Sequence, residues 1–135
     1  MKKILSIFIV ALTFICCQEK YELNTDFSVP AELSSPSAVT LDVTSNVPVL
    51  LSWSGGEAAD GGVVLYEVLF DKAGGDFSNP LARMKSNLGA LPNLSVSQAV
   101  LNTIARNAGI MPEEVGTIIW TVTASKGGVV KTTDK

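Results

Sequence analysis

Three stretches of this chain alternate apolar with other side chains at period two, and each runs into a glycine pair. In Pro48 to Ser54, Val49, Leu51 and Trp53 share one face, while Leu50, Ser52 and Ser54 share the other. Val63 to Asp71 sets Tyr66, Val68 and Phe70 against Leu65, Glu67 and Leu69, with Glu67 marking the more exposed side. Thr117 to Ser125 sets Ile118, Trp120, Val122 and Ala124 against Ile119, Thr121 and Thr123. Period-two segments punctuated by Gly55-Gly56, Gly74-Gly75 and Gly127-Gly128 cannot sit as helices, and they predict antiparallel strands. Val39 to Val43 and Leu81 to Ser86 read as shorter strands, the second carrying Arg83 and Lys85 outward as an edge strand would. Only Ser95 to Ala108 changes period: Val100, Ile104 and Ala108, flanked by Leu101 and Ala105, make a helical stripe. Ser95 and Gln98 form a capping-box pattern, and Gly109 and Pro112 supply the stop. The expected fold is all-β, an antiparallel sandwich with one short amphipathic helix.

The composition removes several chemistries. The chain has 135 residues, enough for one domain, and contains no histidine. That excludes Ser/His/Asp and Cys/His catalytic sets and His-ligated zinc. A formal net charge of −3 and a pI near 4.8 argue against a nucleic-acid partner, which calls for a clustered basic face. No metal site and no cofactor is expected. Asp71 and Asp76 flank a glycine turn without the ligand series of a calcium loop, and turn roles are expected for both. Glu113 and Glu114 read as surface charges beside a turn or helix start. The glycine pairs are not followed by Lys-Ser or Lys-Thr, so they form no phosphate-binding loop.

Lys2 and Lys3 precede an uncharged run from Ile4 to Ile15 that suits the apolar region of a secretory signal and is too short to span a membrane. Both cysteines, Cys16 and Cys17, fall where that run ends, so no disulfide framework is expected in the body of the protein. Leu12-Thr13-Phe14-Ile15-Cys16-Cys17 looks like a relaxed bacterial lipobox. Cleavage before Cys17 puts small Cys16 at the preceding position, whereas cleavage before Cys16 would put bulky Ile15 there. The expected organisation is a lipoprotein signal peptide over 1–16, a lipid anchor at Cys17 with a linker to 33, and a sandwich domain over 34–135. Acyl chains anchor at about 0.8 kcal/mol per buried CH₂, so the mature protein is expected to be tethered to the membrane without spanning it. Gln18 to Leu33 carries no periodicity and, fully extended at roughly 3.3 Å per residue, would reach about 50 Å.

Several blocks carry a resemblance: Leu51-Ser52-Trp53-Ser54, the run Tyr66 to Gly74, Asp76-Phe77-Ser78-Asn79-Pro80, Leu101 to Ala105 leading to Gly109-Ile110, and Ile119 to Gly127. Together with the lipobox they resemble the N-terminal domain of the SusE family, outer-membrane lipoproteins of Bacteroidetes glycan-uptake systems. Gln18-Glu19-Lys20 is similar to the short acidic export signal of surface lipoproteins in such bacteria. The resemblance implies an immunoglobulin-like sandwich, a cell-surface position on the outer membrane, and SusC-like and SusD-like partners. It also implies starch-like polysaccharide as cargo, engaged indirectly or through modules further along a longer protein. Against that pattern, the stop at Lys135 leads us to expect a sandwich lacking its last strand.

Trp53, Tyr66, Phe70 and Trp120 are expected in the core, each worth roughly 1.5–3 kcal/mol or more on burial. Tyr21, Phe27 and Phe77 then remain, too scattered for a sugar-stacking platform. The expected function is a surface-anchored, non-enzymatic accessory lipoprotein of a glycan-binding and uptake system, the domain serving as spacer or docking module, with no catalytic residue. The rival is a structural or adhesive surface subunit completed by a donated strand.

Overall fold

The computed structural model describes residues 22–133; the signal run, Cys16, Cys17 and Tyr21 lie outside them. In chain order the elements are β1 (Pro30–Ser34), β2 (Val49–Gly55), β3 (Leu65–Lys72), β4 (Ala82–Lys85), a 3₁₀ turn (Asn87–Gly89), β5 (Asn93–Val96), α1 (Gln98–Asn107), β6 (Ile118–Lys126) and β7 (Val129–Thr132). They form two antiparallel sheets, one of three strands in the order β1-β2-β5 and one of four in the order β4-β3-β6-β7. The chain changes sheet between β2 and β3, between β4 and β5, and through α1 between β5 and β6. The result is an all-β sandwich with one short helix.

The long alternating segments form the strands that their pattern requires. Along β2, Val49, Leu51 and Trp53 are buried and Leu50 is exposed. β3 pairs with β6 over its whole length, from Leu65 opposite Ser125 to Lys72 opposite Ile118. They bring Val68, Val122 and Ala124 into full burial. β4 is an edge strand whose Arg83 and Lys85 are exposed, Arg83 meeting Glu67 at 3.4 Å. In the three-stranded sheet the edge strand β1 is blunted by Pro30, a shift in register between Ala31 and Ser34, and a left-handed Glu32 at φ 47°.

Four sequence expectations are corrected. Val39 to Val43 is not a strand: the Asp42 carboxylate accepts from the backbone N–H and hydroxyl of Thr44 at 2.9 and 2.7 Å, closing a turn where a strand would have to run straight. Residues 27–33 belong to the sandwich and not to a linker, because Phe27 is 2% exposed and bridges to Ala58, and β1 follows directly. The helix starts later than the Ser95 capping box implies. Ser97 is its N-cap, with its hydroxyl accepting from Val100 N at 3.3 Å, and residues 93–96 form β5 instead. Finally, the buried stripe of α1 is centred on Ile104 and Ala105, with Leu101 half-buried and Val100 exposed.

Space and backbone conformation together call for glycine at Gly56 and at Gly127. A Cβ on Gly56, at φ 82°, would stand 2.6 Å from Tyr66 Cε1, and one on Gly127, at φ 57°, would run into Leu23. Gly56 is what lets the Tyr66 hydroxyl donate to the Gly56 carbonyl at 3.0 Å while its ring meets Trp53 edge-on, 5.5 Å between centroids.

Candidate functional site

A concavity of about 530 Å³ opens at the end of the sandwich where β2 and β6 begin and β3 finishes. Its floor is made by Val49 and Leu51 of β2, Phe70 of β3, and Ile118 and Trp120 of β6. Leu101 and Ala105 of α1 form one wall, the irregular segment 35–41 another, and residues 110–117 overhang the opening.

Local hydrogen bonding builds these walls. Gln98, at the first position of α1, accepts from Asp42 N at 2.7 Å and donates to Ser45 Oγ at 3.2 Å and to the Val47 carbonyl at 2.9 Å. One side chain therefore ties the 42–47 segment to the helix. Across the groove, Glu114 accepts from Met111 N at 2.9 Å and closes the 111–114 turn, with Glu113 left-handed at φ 67°. These carboxylates shape a loop, and the rim they share with Thr40, Asn102 and Thr117 holds no basic side chain among the described residues. Such a groove suits a neutral or cationic apolar surface better than an anion.

The expected core residues do not all occupy the same environment. Trp53, Tyr66 and Phe70 are 5%, 6% and 2% exposed, whereas Trp120 is half-buried and lends one side of its indole to the groove floor. The two indoles thus do not share a groove: Trp53 lies inside the sandwich, its Nε1 buried with no hydrogen-bond partner. Cys17, the expected acylation site, lies outside the described residues. Asp71 is buried, and its carboxylate accepts from Lys72 N at 2.8 Å and Phe77 N at 3.0 Å, which folds the loop between β3 and β4. Among the described residues no group of three His, Cys, Asp or Glu could hold a metal ion.

Charge perturbations lie away from the groove. Burial, and secondarily the Glu57 carboxylate, push the Tyr66 phenol above its ordinary value of 10.0. The Lys126 ammonium, 2.5 Å away, holds Asp60 below the usual carboxylate value, and the Thr44 hydroxyl and N–H do the same for Asp42. Asp60 is engaged in an ion pair with Lys126 and Asp42 in a turn with Thr44. The groove was not legible as such in the sequence. Its only signals were Ser35-Pro36-Ser37 and Met111-Pro112, which mark loops without saying that they face each other.

The described residues thus form an all-β sandwich of two sheets with one α-helix and a loop-walled groove beside it. The chain belongs to the SusE outer membrane protein family, whose pattern matches residues 18–123. It is thus placed among outer-membrane proteins of Sus-type glycan systems. No curated protein and no solved structure matches it.

Proposed function

We propose that this chain is a lipid-anchored, non-enzymatic accessory lipoprotein of a glycan-uptake system, acylated at Cys17, with the sandwich acting as spacer or docking module at the cell surface. The observation that carries the reading is the coincidence of two ranges: the SusE match begins at residue 18, immediately after the cysteine that the lipobox selects. Polysaccharide is engaged indirectly, because Phe27, Trp53, Tyr66 and Phe70 are spent on the core and the half-buried Trp120 is the one aromatic besides Phe70 that lines the groove, whereas a sugar platform needs several open ring faces. The groove, with its apolar floor and acidic rim, is the docking surface offered to SusC-like or SusD-like partners. The donated-strand rival is disfavoured, because Val68, Val96 and Val122 are already fully covered without an added strand.

The test is fractionation of cells carrying the full chain or Cys17→Ala, with pull-down of the SusC-like and SusD-like neighbours from the outer membrane. The wild type is expected in the outer membrane with both partners, and Cys17→Ala in the soluble fraction. A membrane-bound Cys17→Ala would overturn the anchor, and a wild type that retains neither neighbour would overturn the accessory role.

A further inference from the structure

The strand register divides the sandwich into two poles. One gathers the end of β2, the starts of β3 and β5, the end of β4 and the β6–β7 turn, while the groove lies at the other. The length of β6, Ile118–Lys126, separates them by about 27 Å at roughly 3.3 Å per residue. The N-terminal segment arrives at the first pole, where Leu23 and Thr25 pack against Gly127. Between Cys17 and Leu23 the chain can span at most about 20 Å, at roughly 3.3–3.6 Å per residue. A lipid on Cys17 therefore keeps the β6–β7 pole within about 20 Å of the headgroups, whatever path the intervening residues take.

That pole exposes several large apolar side chains to solvent. Leu23, Val63 and Leu65 are 70%, 68% and 53% exposed, and Leu88 is 92% exposed at the tip of the Asn87–Gly89 turn. Leu88 also holds a left-handed backbone at φ 54°, which a leucine adopts at a cost. Neither burial nor backbone preference accounts for a leucine there. The acids and bases of this pole are mixed, Asp60 with Lys126 at 2.5 Å and Asp26 with Lys131 at 4.0 Å, beside Glu22, Glu57 and Lys85. Attraction to an anionic surface is not what the pole is built for. Exposed Met111 and Val115 at the groove pole stand a sandwich length further from the tether.

We infer that the β6–β7 pole is a lipid-docking surface: with Cys17 acylated, Leu23, Val63, Leu65 and Leu88 rest at the headgroup boundary of a zwitterionic bilayer and the groove points away from it. The inference rests on the acylation reading. Its test uses the full lipidated chain, extracted from membranes and reconstituted in phosphatidylethanolamine–phosphatidylcholine vesicles, carrying Leu88→Cys or Val115→Cys labelled with an environment-sensitive fluorophore. Cys16 leaves with the signal and the Cys17 thiol is consumed by acylation, so the introduced thiol alone takes the label.

Nitroxide lipids are expected to quench the Leu88→Cys label several-fold more than the Val115→Cys label, with a blue shift at position 88 only. Equal quenching, or stronger quenching at 115, would overturn the docking while leaving the anchor intact. The intact mass of the extracted chain reads the acyl groups directly; an unacylated mass would overturn the anchor and the docking with it.

Discussion

Tyr66 shows how much one residue can be asked to do in a small sandwich. Its ring packs on Trp53, its hydroxyl donates to the Gly56 carbonyl at 3.0 Å, and its buried phenol resists ionisation. The unfolded chain releases this proton near pH 10, whereas the folded chain holds it to a higher pH. Between those two values the unfolded state binds fewer protons, so the stabilisation is complete below pH 10 and is lost as pH rises through the folded value. Thermal unfolding followed across an alkaline pH series is expected to show a fall in midpoint that Tyr66→Phe removes. At neutral pH the same substitution is expected to cost about 1 kcal/mol, because the buried Gly56 carbonyl loses its donor. A Tyr66→Phe variant with an unchanged alkaline limb would show that some other group titrates there.

At the level of elements, legibility followed the strength of the local pattern. β2, β3 and β6 were readable because alternation, length and glycine stops agree in each. β5 was not, since Asn93-Leu94-Ser95-Val96 runs straight into the helix and Ser95 imitates the cap that Ser97 provides. Val39 to Val43 was misread as a strand because its apolar alternation is genuine but the hydrogen bonds around it go elsewhere. Asp42 turns the chain, and Gln98 takes the backbone groups that a neighbouring strand would have taken. A side-chain clamp from the far end of the sequence leaves no local mark.

Gln98→Ala is expected to lose that clamp, costing about 1–2 kcal/mol if each broken hydrogen bond contributes about 0.5–1.5 kcal/mol with partial replacement by water. Amide exchange should then accelerate at Asp42 and its neighbours while β3 and β6 stay protected. Uniform acceleration across all strands would mean that the clamp supports the whole sandwich and not the groove wall alone.

At the scale of the molecule, the two ends of the described chain meet. Lys131 of β7 donates to the Phe27 carbonyl, sits 4.5 Å from the centre of the Phe27 ring, and lies 4.0 Å from Asp26. Phe27 in turn is buried against the core and bridged to Ala58. Its role was invisible in the sequence, because a lone aromatic in an aperiodic stretch has no pattern to place it. Phe27→Ala is expected to cost about 3–5 kcal/mol, since it opens a cavity and strips Lys131 of its cation–π partner. Limited proteolysis should then cut before β1 in the folded variant; resistance equal to the wild type would show that β1 alone secures this edge. The clamp has a mechanical consequence. A tug arriving along the residues before Leu23 meets Phe27 and Lys131 before it reaches β1, so strain is delivered to the first and seventh strands together and the sandwich resists peeling from one edge.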